Sequence, residues 1–138
     1  MAVGIKVDFF WYPIGNGSFV HSFFSTISYN LENQGWGSRF PYLLNKLYQG
    51  ELSYKDVDNA REELIAIRKE FESYPPDKIV WDIDNLNQQP PWGKEISSEI
   101  TSIANYFITC DGKDLFDEII RAFSKAQMLK QNILLVSL

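Results

Sequence analysis

Asp82 and Asp84 are the two acidic residues whose spacing is best suited to shared chemistry. The alternation of apolar and polar residues from 78 to 84 predicts a strand, in which residues two apart point to the same side. The two carboxylates could therefore bind one metal ion or act as an acid–base pair, together with Asp8 of the first predicted strand. Because no His stands at a recognised ligand spacing from them, a polar strand edge entering a loop is the simpler interpretation. No metal ion and no cofactor is expected on this basis.

The chain has one His, His21, and one Cys, Cys110, so residues for catalysis are few. His21 lies within a predicted helix, where an exposed or packed role is simpler than general-base catalysis. Cys110 ends a predicted buried strand without a neighbouring base, so we interpret it as a small buried residue rather than a nucleophile. No catalytic residue is assigned. A metal-dependent hydrolase that uses Asp8, Asp82 and Asp84 stays open as an alternative.

Residues that form contacts are abundant, because 15% of the chain is aromatic and four residues are Trp. Trp36 and Trp92 are each followed by glycine and lie in predicted loops, and Trp92 also follows two prolines. A Trp on a stiff loop is typical of a protein-interface anchor, although its size also favours folding back onto the core. We predict a partner-binding surface that contains Trp36, Trp92, Asp82 and Asp84.

Composition and charge restrict the class of protein. The 138 residues are 45% hydrophobic and 22% charged, with a net charge of −5, and they predict one folded domain over residues 1–138. The acidic balance argues against a nucleic-acid partner and permits a basic protein partner. No apolar run approaches the roughly 18 residues that suggest a membrane span. The alternating N-terminus reads as a strand rather than a signal peptide, and the lone Cys fits a reducing compartment such as the cytoplasm.

The elements that must position these residues follow from hydrophobic periodicity. Strands are predicted at 3–12, 78–84, 106–110 and 132–138. Helices are predicted at 18–31, 40–48, 53–73, 96–105 and 113–130, and residues 85–94 read as a loop. The fold class is therefore α+β with mixed α/β layers, about four strands in one sheet packed by roughly three to five helices. The last two strands could be joined by a parallel crossover or lie antiparallel.

Apolar stripes predict which faces of the three long helices are buried. The predicted inward positions are Phe19, Phe23, Ile27 and Leu31 in the first, Val57, Ala60, Leu64, Ile67 and Phe71 in the second, and Leu115, Ile119, Phe123 and Ala126 in the third. In the first helix, His21, Ser25 and Ser28 lie towards the opposite side.

Five segments in the same order resemble one known family. They are VGIKVDFFWYPIGNGSF, NQGWGSRFPYLLNKLYQGEL, YPPDKIVWDI, QPPWGKEISSEIT and NYFITCDGKDLF. This pattern is similar to the immunity protein 70 family of bacterial polymorphic toxin systems, and it extends over nearly the whole chain.

The resemblance implies a non-enzymatic, cytoplasmic inhibitor that binds a cognate toxin domain by direct protein contact. The acidic charge would suit a basic toxin such as a nuclease. The resemblance carries over no binding residues. A homodimer, or a homo-oligomeric structural or regulatory protein whose aromatic residues form the subunit interface, stays open as a further alternative.

Overall fold

A computed structural model describes residues 2–93 and 95–138, which form a four-stranded antiparallel sheet and several helices. The predicted α+β class is therefore confirmed. The strands are β1 (Ala2–Val7), β2 (Phe10–Asn16), β3 (Glu51–Leu52) and β4 (Ile133–Ser137). The α-helices are α1 (Gly17–Leu31), α2 (Val57–Phe71) and α3 (Leu115–Leu129), with a π-helical segment at Tyr42–Leu47 and 3₁₀ turns at Tyr54–Asp56, Pro76–Lys78 and Ile103–Asn105.

The first two strands form a hairpin rather than the one long strand predicted at 3–12. Val7 pairs with Phe10, and the chain reverses at Asp8, whose φ is +55°. Asp tolerates this left-handed conformation better than most residues, so it suits a two-residue turn. The prediction failed because the period-two alternation continues through the turn and hides it.

The sheet has the order β2-β1-β4-β3, and its edges are short or interrupted. The outer strand β2 contains Pro13, which has no N–H to offer, and the other outer strand, β3, has two residues. The apolar tail forms β4 between β1 and β3, as predicted for an inner strand, and it pairs antiparallel with both.

Residues 106–110 do not form the predicted buried strand. They contribute an isolated bridge between Ile108 and Asp114, so the parallel crossover is not formed. Cys110 is exposed, which overturns its prediction as a small buried residue. The reason is a contact distant in sequence: the N–H of Cys110 donates to the carbonyl of Ile14 at 2.8 Å, at the rim of the sheet rather than in the core.

The core forms where the predicted helix stripes meet the inner face of the sheet. All five stripe residues of α2 and all four of α3 are buried, and in α1 only Phe19 is half-buried. α1 is also buried on its polar side, since Ser25 and Ser28 are 0% and 2% exposed. The side opposite the predicted stripe is therefore packed as well. None of the helices described is both long and apolar enough to cross a membrane.

The segment that covers the polar side of α1 is the predicted strand at 78–84, which forms no strand. The Val80 carbonyl accepts hydrogen bonds from the hydroxyls of Ser22 and Thr26 at 2.8 and 3.2 Å. The Val80 N–H donates back to the Thr26 hydroxyl at 3.0 Å. Helix side chains thus replace the partner strand that this backbone would otherwise need. The predicted helix at 96–105 is likewise reduced to one 3₁₀ turn capped by Ser102.

Candidate functional site

The candidate site is built around the imidazole of His21, which is held from both sides. Its Nε2 lies 3.0 Å from Oδ1 of Asp82, and its Nδ1 lies 2.6 Å from the hydroxyl of Tyr48. When the ring is neutral, Nε2–H donates to the carboxylate and the Tyr48 O–H donates to Nδ1. The three side chains therefore form one continuous hydrogen-bonded chain.

Asp84 adds a second carboxylate that faces solvent. Its Oδ2 lies 3.8 Å from Nε2 of His21, beyond hydrogen-bond distance, and its side chain is 85% exposed. The backbone N–H of Asp84 donates to Oδ1 of Asp82 at 2.9 Å. This N–H, with help from His21, holds the pKa of the Asp82 carboxyl below its usual value. Asp82 is therefore ionised at neutral pH, and the site carries negative charge.

Two parts of the fold bring His21 and the carboxylates together. The Asn16 side chain accepts the N–H of Phe19 at 2.9 Å and so caps the start of α1. His21 follows about one turn later, on the polar side of the helix. The backbone around Asp82 is fixed on that face by the Val80 hydrogen bonds and by Ile83, whose N–H donates to the Ser25 hydroxyl at 3.2 Å.

Trp36 closes another side of the site. Its ring lies nearly parallel to His21 at 6.4 Å between centroids and 5.3 Å from the ring of Tyr48. Its indole N–H donates to the carbonyl of Leu44 at 3.1 Å, which satisfies the one polar atom of the side chain. Trp36 is half-buried, so part of its ring remains accessible.

A buried carboxylate fixes the loop that carries Trp36. Glu32 is 6% exposed and accepts the backbone N–H groups of Gly37, Arg39 and Phe40 at 2.9, 3.0 and 2.9 Å. Three hydrogen bonds to one carboxylate compensate for burying its charge. The position of Trp36 therefore depends on a residue at the end of α1.

Together these side chains line an open depression of about 370 Å³. Its lining consists of His21, Trp36, Tyr48, Gln49, Ile83 and Asp84. Burial raises the pKa of the Tyr48 hydroxyl, and the nearby carboxylates of Asp84 and Asp82 raise it further. Tyr48 therefore stays protonated and can continue to donate to His21. The depression combines aromatic walls with a negatively charged rim.

The structure brings three of the four predicted site residues to this depression and places the fourth elsewhere. Trp36 and Asp84 line it, and Asp82 supports it through His21. Trp92 packs edge-to-face against Trp81 at 5.5 Å and donates its indole N–H to the Tyr106 hydroxyl at 2.8 Å. It is 44% exposed and lines a separate apolar depression.

Asp8 does not join Asp82 and Asp84, contrary to the three-carboxylate alternative. Within residues 2–93 and 95–138, the group whose ligand atoms lie within 4.8 Å of one another is His21, Asp82 and Asp84. Asp8 lies instead in the exposed turn between β1 and β2.

His21, Asp82 and Asp84 offer one imidazole nitrogen and two carboxylates, a donor set that suits borderline divalent cations. A cation there would have to displace the hydrogen bond from Nε2 to Asp82, because the same nitrogen serves both. The clearest chemical property of the site is therefore negative charge beside aromatic rings.

His21 and Tyr48 are the site residues that sequence reasoning missed. His21 is 27 positions from Tyr48 and 61 from Asp82, so no local spacing connects them. The available signal was the placement of His21 on the polar side of α1, which was interpreted as a helix face and not as a contact surface.

Comparison with known proteins gives one match. The sequence model of the family described as Immunity protein 70 matches residues 5–135 of the 138-residue chain. No curated protein and no solved structure matches the chain.

Proposed function

The chain belongs to the immunity protein 70 family, and we propose that it binds a cognate bacterial toxin domain and neutralises it by direct protein contact. The observation that carries this proposal is the family match, which extends over residues 5–135 and so includes every residue of the candidate site. In the proposed role the protein is a non-enzymatic inhibitor, made in the cytoplasm of the cell that also makes the toxin.

The charge of the chain supports a basic partner. The net charge is −5, and Asp84 presents an exposed carboxylate beside the ionised Asp82. A negative surface accelerates encounter with a positive one and disfavours acidic partners. A nuclease domain, whose substrate-binding surface must be positive, has the required complementary charge.

The depression around His21 supports the position of the contact surface. Interface energy is concentrated in a few Trp, Tyr and Arg side chains that become buried on binding. Trp36 and Tyr48 are partly accessible here and are already fixed by hydrogen bonds to Leu44 and His21. Such preorganised side chains lose little conformational entropy when a partner covers them.

Trp92 extends the proposed surface. Its ring is 44% exposed and is fixed by Tyr106 and Trp81, so it too is a rigid aromatic contact. Trp81 lines the depression of Trp92, and Ile83 and Asp84 line the depression around His21, so one short segment contributes to both. A standard interface of about 1,600 Å² in total is large enough to include both.

Co-expression tests the proposal directly. The toxin domain encoded beside this gene should arrest growth when expressed alone, and growth should return when this protein is expressed with it. The two purified proteins should co-elute as a complex, while a toxin domain from an unrelated system should not bind. Continued arrest in the presence of soluble, folded protein would contradict the proposal.

A further inference from the structure

We infer that the depression around His21 receives the guanidinium group of an arginine from the bound partner. This inference rests on the proposed function, because it identifies the partner side chain that the surface would recognise. It is argued from the walls, the charge and the fixed geometry of the depression.

The walls of the depression are aromatic on two sides. Trp36 and Tyr48 are 5.3 Å apart between ring centroids and tilted by 57°, so their faces are not stacked on each other. Both line the open volume of about 370 Å³. An aromatic face attracts a cation, and a planar guanidinium can also stack on it.

The rim supplies the counter-charge. The Asp84 carboxylate lines the depression and is 85% exposed, and its distance of 3.8 Å from His21 leaves acceptor capacity on both oxygens. A carboxylate with this freedom can accept two parallel N–H bonds from a guanidinium. Asp82 accepts from His21 and from the Asp84 N–H through Oδ1 and does not line the depression, so it contributes its negative charge rather than a contact.

The protein itself places an arginine side chain between an aromatic ring and a carboxylate at three positions. Arg39, Arg68 and Arg121 each lie over an aromatic ring and each pair with a carboxylate of this chain. The depression presents the same two components, an aromatic face and a carboxylate, and among the described residues its lining contains no Lys or Arg. The missing component is therefore one that a partner can bring.

A small-molecule titration tests the inference without the toxin. The probe is N-acetyl-arginine amide, the control ligand is N-acetyl-citrulline amide, which has the same shape without charge, and the readout is the indole N–H resonance of Trp36 in NMR spectra. The arginine probe should shift this resonance saturably, and the citrulline probe should not.

Matched variants locate the effect. Asp84→Asn should weaken binding of the arginine probe by about two- to fivefold, the value of an exposed ion pair. Glu62→Gln removes the same charge from the exposed side of α2 and should leave the affinity unchanged. Equal responses to arginine and citrulline, or equal effects of the two substitutions, would overturn the inference.

The two proposals fail separately. A toxin that binds while the arginine probe does not would refute the arginine pocket and leave the proposed function standing. An arginine probe that binds while the toxin does not would refute the proposed function and leave only the affinity of the depression for a guanidinium group.

Discussion

His21 and Asp82 are 61 positions apart in the chain, and a hydrogen bond of 3.0 Å joins their side chains. This bond connects the first helix to an irregular segment that packs on the helix's polar face. The negative charge of the site therefore has a fixed position relative to α1, and through Trp36 and Tyr48 a fixed position relative to the aromatic walls.

Charge reversal at Asp84 should weaken toxin binding more than the same reversal elsewhere. Asp84→Lys places a cation where a basic partner would dock, and we expect the affinity to fall by at least about tenfold. Glu62→Lys changes the net charge equally but lies on the exposed side of α2, and it should alter the affinity by less than about twofold. Isothermal titration calorimetry measures both. Equal losses would indicate a long-range charge effect without local contact.

Removing the Trp92 ring should weaken toxin binding while leaving the fold intact. Trp92→Ala deletes a rigid aromatic contact, for which a loss of about fivefold or more in affinity is typical. Phe9→Ala is the control, because Phe9 is 92% exposed at the hairpin tip, at the opposite end of the hairpin from the β2 residues that line the Trp92 depression. Circular dichroism checks the fold of both variants. An affinity unchanged by Trp92→Ala would remove Trp92 from the interface.

The hydroxyl of Thr26 should stabilise both the protein and the segment that carries Asp82. Thr26→Val keeps the shape of the side chain but leaves the Val80 N–H without its acceptor, which costs about 1–3 kcal/mol of unfolding free energy. Hydrogen exchange at the Val80 amide should also accelerate. Thr101→Val, at an exposed residue, should change neither quantity. Unaltered exchange at Val80 in Thr26→Val would show that other contacts hold this segment.

Gly37→Ala should destabilise the loop behind Trp36. Gly37 has a φ of +77°, and an added Cβ would lie against the Asn45 side chain well inside van der Waals contact. The left-handed conformation alone costs an L residue roughly 1–2 kcal/mol. Gly17→Ala is the matched control, since no atom lies within 4 Å of its added Cβ and it begins a helix. Urea denaturation should give a lower free energy of unfolding for Gly37→Ala than for Gly17→Ala. Equal values would contradict the steric argument.

Glu63 should make stability depend on pH in a direction set by its burial. Burial raises the pKa of Glu63 above its usual value of 4.5, although the N–H groups of Leu43 and Tyr42 oppose this shift. Between 4.5 and the folded-state pKa the native protein binds more protons than the unfolded chain, so this residue's contribution to stability falls as pH rises through that interval.

Glu63→Gln removes this titration, so it provides the comparison. Urea denaturation at pH 4 and pH 7 gives the free energy of unfolding of both proteins. The stability of the variant relative to the parent should be higher at pH 7 than at pH 4. A difference between the two proteins that does not change with pH would show that Glu63 has the same pKa in both states.

The parts of the fold that were predicted correctly are those with local causes. The stripe from Val57 to Phe71 repeats at helical spacing, and every member is buried because periodicity alone determines which face meets the core. The inner position of β4 followed in the same way from its continuous apolar sequence.

The parts that were missed have non-local causes. Residues 78–84 alternate as a strand does, but the hydroxyls of Ser22 and Thr26 take the hydrogen bonds that a neighbouring strand would have made. The same docking places Asp82 beside His21. Asp82 and Asp84 could be selected from the sequence as a pair, whereas their contact with His21 depends on which surface the segment meets.

The edges of the sheet have a consequence for self-association. Growth of a sheet from one molecule to the next needs a run of unpaired N–H and C=O groups along an outer strand. Pro13 interrupts the row of N–H donors along β2, and β3 ends at Leu52 after two residues. Neither outer strand can therefore pair with another chain over many residues. The sheet edges therefore disfavour fibril-like association, and contacts with another molecule are made by side chains rather than by exposed main chain.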